Sequence, residues 1–143
     1  MRKQKGFSLI ELLIVVAIIL IIAAIAIPNL LRSRMSANEA SAVGTVRAVI
    51  TSENMFERTQ DPPRYGTLAE LYAANLLGSV PGTGIKSGYQ LTVVTPDATS
   101  YDAMNTPQNL GTTGNVCYFA NQTGIIRRAQ GAIVCDANSP ILQ

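Results

Sequence analysis

The sequence predicts an α+β protein in which one long N-terminal α-helix packs on a small antiparallel β-sheet. Residues 7–31 are almost entirely apolar, and the stretch that follows repeats apolar residues at helical spacing. Near residue 60 the composition changes, and the rest of the chain is rich in Gly, Thr, Asn and Pro. A chain of 143 residues can form one small domain with an appended helix.

The first part of the helix is long enough to cross a membrane. The apolar run at residues 12–27 is extended backward by Phe7, Leu9 and Ile10, which gives about 21 residues and roughly 31 Å of helix. Three basic residues within the first five are expected to keep that end in the cytoplasm and to place the C-terminal domain outside it.

Glu11 interrupts this apolar segment near its start. A carboxylate there costs a few kcal/mol unless it is neutral, reaches the membrane surface or finds a partner. A plain single-pass anchor explains the length of the segment but not Glu11. A secretory signal peptide would have a shorter apolar stretch before a small-residue cleavage site, which residues 23–26 only imitate. From the residues alone, the plain anchor stays open.

The helical pattern continues beyond Pro28, where we predict a kink because proline removes one backbone hydrogen bond and clashes with the preceding turn. The alternative is that Pro28 ends the membrane helix. Pro62-Pro63 is expected to end the long helix. The predicted apolar face comprises Ala42, Val43, Val46, Val49, Ile50 and Phe56, and the predicted polar face Arg34, Asn38, Glu39, Ser41, Thr45 and Ser52.

The region after residue 60 predicts a short helix and several strands. Thr67 and Glu70 have the spacing of a capping box, which predicts a helix over 68–77. An antiparallel sheet on the amphipathic half of the long helix would bury one face of each. The predicted strands are 89–95, 100–103, 115–120 and 125–128, with a weaker candidate at 132–135 and a hairpin turn at 121–124.

The composition argues against catalysis. The chain has no His, which removes the commonest general base and the commonest metal ligand. Cys117 and Cys135 alone cannot supply a four-ligand zinc site. A disulfide that closes a loop of about 18 residues is the simpler interpretation, and it contributes roughly 3 kcal/mol. We therefore predict a disulfide, no metal or cofactor, no catalytic residues and no enzyme activity.

Residues 5–15 read KGFSLIELLIV. This stretch resembles the class III signal of type IV prepilins and pseudopilins, and the resemblance extends over about residues 1–35, including Pro28. It implies that a prepilin peptidase cuts between Gly6 and Phe7 and methylates the new amine of Phe7. It also implies that Glu11 of one subunit pairs with the Phe7 amine of a neighbour, since a buried cation requires a compensating anion.

The resemblance implies a structural subunit of a type IV pilus. Such a subunit spans the bacterial inner membrane once and then joins an extracellular filament on the cell surface. Its partners would be identical subunits, the prepilin peptidase, the pilus assembly machinery and, before assembly, the membrane. The implied segments are a leader at 1–6, a transmembrane and filament-core helix at 7–30, an amphipathic helix at 31–60, and a head at 61–143 with a C-terminal disulfide loop.

Two alternatives lie within the same family: a pseudopilin of a type II secretion system, and a minor or tip pilin with a ligand-binding head. Removal of the leader would leave 8 basic side chains against 9 acidic ones. Such a balance predicts no strong general affinity for nucleic acid. Arg127-Arg128 is the basic pair on which local binding of nucleic acid would depend, and that question stays open.

Overall fold

The structure is a computed structural model that describes residues 6–78 and 80–143, so most of the predicted leader lies outside the described residues. The chain divides into two compact units, Met1–Ser33 and Arg34–Gln143. The boundary between them falls inside the first helix, α1, which spans Leu9–Thr59.

Helix α1 continues through Pro28, so the alternative that this proline ends the helix is wrong. The kink itself stays a prediction. The helix ends at Thr59, shortly before the proline pair that was expected to stop it. Among the described residues, α1 is the helix that is long and apolar enough to cross a membrane, with a mean hydropathy of 3.3 over its most apolar 18 residues.

The second unit contains an antiparallel five-stranded sheet in which each strand pairs with the next along the chain. Such a meander needs only short connections between neighbouring strands. The strands are β1 at Ile85–Lys86, β2 at Tyr89–Asp97, β3 at Ser100–Pro107, β4 at Val116–Asn121 and β5 at Arg127–Gln130.

The predicted α+β fold is confirmed, because the later half of α1 buries its side chains in the same clusters as the sheet. Thr45 and Ser52 are also buried there, so their assignment to the exposed polar face was wrong. Both hydroxyls are satisfied by backbone carbonyls: Thr45 donates to Ser41, and Ser52 donates to Leu76 at 2.8 Å. A hydroxyl with such a partner can be buried at little cost.

Polar side chains fix the position of α1 against the rest of the second unit. Within residues 38–52, side chains of the helix bond backbone groups of the segment after β3 and of the segment after α2, and one side chain of β3 bonds a backbone carbonyl of the helix. Because each bond joins one atom to one atom, the set defines a single axial position for the helix. Besides Ser52 to Leu76, the bonds are Asn38 Nδ2 to the Thr113 carbonyl, the Asn115 N–H to Glu39 Oε1, and Asn105 Nδ2 to the Ala42 carbonyl.

The second helix, α2, spans Leu68–Ala73 and begins with the predicted capping box of Thr67 and Glu70. It is shorter than the predicted helix over 68–77. Asn75 follows the C-cap with a left-handed φ of 56°, and its N–H donates to the Tyr72 carbonyl at 3.0 Å. Such a residue closes the helix with a Schellman motif, the role usually taken by glycine.

If Asn75 closes the helix in this way, replacing it should destabilise the protein. Asn75→Ala should lower the free energy of unfolding by about 1–2 kcal/mol, because alanine tolerates a left-handed backbone poorly. Asn75→Gly keeps the backbone conformation accessible and should be close to neutral. Urea unfolding of both variants measures the difference, and equal stability of the two would contradict this account of the helix end.

Several strand boundaries differ from the prediction. The two-residue strand β1 was missed; it joins β2 through Ser87 and Gly88, both at positive φ, which is the pattern of a tight hairpin turn. Strand β3 runs four residues past its predicted end at Ala103, and the side-chain amide of the inward-facing Asn105 donates to the Ala42 carbonyl of α1. The predicted strands at 115–120 and 89–95 are confirmed within two residues at each end.

The last predicted strands are the least accurate. The turn at 121–124 is confirmed by a 2.9 Å bond from the Gly124 N–H to the Asn121 carbonyl. However, β5 begins at Arg127 rather than at 125, because the Ile126 carbonyl accepts from the C-terminal Leu142 N–H. Residues 132–135 form no strand.

The Cys117–Cys135 disulfide is present, with the two Cα atoms 5.9 Å apart. Strand β4 is buried on both faces. One face packs toward α1, while Cys117 and Phe119 on the other face contact Cys135 of the C-terminal segment. The disulfide therefore holds that segment over the outer face of β4.

Candidate processing and assembly site at the helix N-terminus

The residues around the predicted cleavage point precede the first helix. Gly6, Phe7 and Ser8 lie outside regular secondary structure and are exposed, with Phe7 76% accessible. A peptidase needs an extended, accessible backbone at the bond that it cuts, and a helix does not offer one. The bond between Gly6 and Phe7 lies outside the helix and between two exposed residues.

Glu11 lies in the first turn of α1 and caps the helix. The Ser8 carbonyl accepts the first intrahelical bond, from Leu12, which makes Ser8 the N-cap residue. The Ser8 N–H in turn donates to Glu11 Oε2 at 2.9 Å. This is one half of a capping box, and the negative charge also lies at the positive end of the helix dipole.

This capping role was missed at the sequence level, although the signal was present. Ser8 and Glu11 stand three residues apart at the start of an apolar run, which is the spacing of a capping box. The same spacing was recognised at Thr67 and Glu70. Glu11 therefore has a role within its own chain before it meets any partner.

The apolar part of α1 has two chemically different faces. At about 100° per residue, the face that carries Glu11 is otherwise formed by β-branched side chains. The opposite face, centred about 170° away, is formed mainly by leucines. The first face comprises Glu11, Ile14, Val15, Ile18, Ile22 and Ile25, and the second comprises Leu9, Leu12, Leu13, Val16, Ala17 and Leu20.

The leucine-rich face forms a shallow apolar groove along the helix, lined by the six residues just named for it. Large side chains at both ends and the small Ala17 between them give this surface its concavity. The large apolar side chains of this part of α1 are exposed in the single chain. Such a continuous exposed apolar surface needs lipid or other protein to cover it.

The other predicted residues serve structural roles away from this chemistry. Pro28 lies within α1, and the disulfide lies in the second unit. Among residues 6–78 and 80–143, no three His, Cys, Asp or Glu side chains are grouped to hold a metal ion. The Phe7 amine does not exist in the uncut chain, so its pairing with Glu11 stays a prediction.

Comparison with known proteins agrees with this arrangement. The family described as the prokaryotic N-terminal methylation motif matches residues 1–27. The type IV major pilin protein PilA of Myxococcus xanthus is 35% identical over 105 residues, which are 73% of this chain and 44% of that protein. The type IV wide pilus major component PilA4 of Thermus thermophilus is 47% identical over 57 residues, 40% of this chain and 44% of that protein.

A third relative comes from a secretion system. The type II secretion system core protein G of Vibrio cholerae is 39% identical over 57 residues, which are 40% of this chain and 39% of that protein. The chain spans less than half the length of each of these three relatives. The motif matched at residues 1–27 includes the predicted cleavage point and most of the apolar part of the capped helix. With this motif, these relatives and a long N-terminal helix on an antiparallel sheet, the chain belongs to the type IV pilin family.

Proposed function

We propose that this protein is a structural subunit of a type IV pilus. It is made as a precursor held in the bacterial inner membrane by residues 7–30, cleaved after Gly6, N-methylated on Phe7 and polymerised through its N-terminal helix. Its partners are identical subunits, the prepilin peptidase and the pilus assembly machinery of the inner membrane. The observation that carries the proposal is the methylation motif over residues 1–27, which is joined to a capped apolar helix.

The two faces of α1 support an open filament. A helix with identical faces can form a closed pair, whereas a helix with two different faces favours front-to-back contacts between successive copies. The groove of Leu9, Leu13 and Leu20 can accept the β-branched ridge of a neighbouring helix, and the ridge then presents Glu11 to that neighbour. Front-to-back contacts that do not close into a ring produce a filament.

Cleavage completes the electrostatic part of this assembly. It releases a cationic amine on Phe7, next to the positive end of the α1 dipole. Burial of this amine among apolar helices would be costly without an anion, which Glu11 of a neighbouring subunit supplies. Because a carboxylate has about four acceptor positions, Glu11 can keep its bond to Ser8 while it binds the amine.

Mass spectrometry of filaments sheared from cells tests the proposal directly. We expect this protein in the filament fraction with Phe7 as its first residue and with one added methyl group. An intact Met1 terminus in filaments, or the absence of the protein from them, would overturn the proposal.

A substitution at the cleavage point is expected to stop maturation. Gly6→Val should leave membrane insertion intact but accumulate precursor that is longer by the leader, because a branched side chain blocks the bond where glycine leaves the backbone accessible. Ser8→Ala, on the other side of the cut, is the matched control and should be processed. Normal processing of Gly6→Val would favour a cleavage point elsewhere or a plain membrane anchor.

A second candidate function is favoured by the similarity to core proteins G of type II secretion. In that case the subunit forms a periplasmic pseudopilus rather than a surface filament; a minor or tip pilin with a ligand-binding head is the other variant. Cell fractionation separates these cases. Recovery of the processed protein from sheared surface filaments in high copy favours the major pilin, low copy favours a minor one, and retention in the cell envelope favours the pseudopilin.

A further inference from the structure

Glu53 is a carboxylate in the core of the second unit. It lies on the sheet-facing side of α1 and is 0% exposed. A charged side chain is almost never fully buried unless it is paired. Its position is therefore unusual for a residue that serves only to cover a sheet.

The two oxygens of Glu53 have different surroundings. Oε2 accepts the Gly66 N–H at 2.9 Å. Oε1 is buried and has no hydrogen-bond partner among the described residues. A buried polar atom without a partner costs about 1–3 kcal/mol, and more when the group is charged. The ionised form of Glu53 is thus poorly accommodated in this site.

The groups around Glu53 do not neutralise its charge. Burial is the largest cause of the raised pKa of the Tyr65 and Tyr101 phenols, and the Glu53 charge adds to it at both. The charge of Glu57, one turn later on α1, also raises the pKa of Tyr65. Glu70 of α2 adds a like charge. The cation in this region, Arg64, is bound to Glu70 at 2.7 Å.

Residues 60–67 cover this site and are here called the strap. The strap contains no helix or strand, and prolines at 62 and 63 leave two of its positions without an N–H donor. Its contacts with the rest of the unit include the Tyr101 ring, which Tyr65 meets edge-on at 4.9 Å, the Phe56 ring, whose centre lies 5.2 Å from Arg64, and the Ala98 carbonyl, which accepts from the Tyr65 N–H at 3.3 Å. The Gly66 N–H is the strap's direct bond to the buried carboxylate.

We propose that Glu53 is a proton-binding site that couples the external pH to the attachment of the strap. With a proton bound, the carboxyl group is neutral and the strap closes over it. Without the proton, the buried charge requires water, and the strap is the part of its enclosure that can move aside to admit it. The helix and β3 on the other sides are fixed by their own backbone bonds.

The direction of the pH dependence follows from burial. Loss of solvent raises the pKa of Glu53 from 4.5 to about 7, the Gly66 bond opposes this rise, and the charge of Glu70 adds to it. The folded state therefore holds a proton that the unfolded chain has lost. Stability is complete below about pH 4.5, falls as the pH rises to about 7 and then levels off. The folding equilibrium constant should change on the order of a hundredfold across this window.

Thermal unfolding of the full chain in detergent, measured from pH 4.5 to 8.5, tests the proposal. We expect the wild type to lose stability across this window and Glu53→Gln to be nearly flat, since an amide keeps the shape and cannot titrate. Glu57→Gln, one turn later on the same helix, is the matched control and should keep the wild-type profile. Equal pH profiles for wild type and Glu53→Gln would overturn the proposal.

A local measurement on the wild type keeps the proposal testable if Glu53→Gln fails to fold. The ¹³C shift of the Glu53 carboxyl group should titrate well above the ordinary range of a glutamate. The hydrogen-exchange protection factor of the Gly66 amide should fall about tenfold or more over the same pH interval. An ordinary glutamate titration, or a Gly66 protection factor that does not change with pH, would refute the site. Neither measurement depends on filament formation.

Discussion

Glu11→Ala is expected to insert into the membrane and be processed, yet to form no filaments. The substitution leaves the amine of Phe7 without an anion when the helices pack. Loss of one partner of a buried ion pair costs about 3–5 kcal/mol, which corresponds to more than a hundredfold in the equilibrium constant for each added subunit. Filament mass in sheared fractions, compared with the amount of processed protein in the membrane, measures the effect.

Because Glu11 also caps the helix, a second variant is needed to separate the effect of its charge from the effect of its capping bond. Glu11→Ala removes both the charge and the acceptor that binds the Ser8 N–H. Glu11→Gln keeps a side-chain oxygen that can accept this bond but carries no charge. If the charge drives assembly, both variants fail; if the cap suffices, Glu11→Gln assembles normally, and the pairing with Phe7 is wrong.

Removal of the disulfide by Cys117→Ala with Cys135→Ala is expected to destabilise the second unit by roughly 3 kcal/mol. The closed loop spans 18 residues and holds a segment without regular strands against β4. Once released, this segment uncovers Phe119, which is buried in the native protein. For a domain of this size, we expect the thermal midpoint to fall by about 10–20 °C.

Reduction of the wild-type protein provides the control for the disulfide. The wild type in reductant should unfold at the temperature of the double variant, whose midpoint should not respond to reductant. A midpoint for the double variant equal to that of the oxidised wild type would show that hydrogen bonds hold the C-terminal segment without the covalent link. Such bonds exist, for instance from the Arg128 N–H to the Pro140 carbonyl at 2.8 Å.

Local sequence signals predicted the elements that depend on neighbouring residues. The capping box at Thr67 and Glu70, the turn at 121–124 and the long helix were all recognisable, because each is determined within a few positions. The end of α2 could in principle have been recognised from Asn75. The left-handed position that closes a helix is usually occupied by glycine, and here it is occupied by asparagine. The motif at Gly6, Phe7 and Glu11 identified the candidate site from residue types and spacing.

Features that depend on distant contacts could not be predicted in this way. A polar residue such as Asn105 is typical of the end of a strand, yet it lies inside β3 and faces inward. Its side-chain amide donates a hydrogen bond to the carbonyl of Ala42, 63 positions earlier in the chain. Thr45 and Ser52 look exposed but are buried in the fold. The burial of Glu53 could not be predicted from the sequence, because its neighbours in space, Gly66 and Tyr101, come from distant parts of the chain. Tertiary contacts override the local pattern at each of these positions.

The polar bonds along α1 also determine how the head would respond to mechanical load. The helix positions involved, from Asn38 to Ser52, cover about 21 Å of helix axis. A force along that axis loads all of these bonds in shear simultaneously. The bonds therefore share the force instead of breaking one after another. A sideways pull at Thr59 would instead peel the bonds apart in sequence, with Glu53 to Gly66 and Ser52 to Leu76 first. The head should therefore resist tension along the helix much better than a lateral force of equal size.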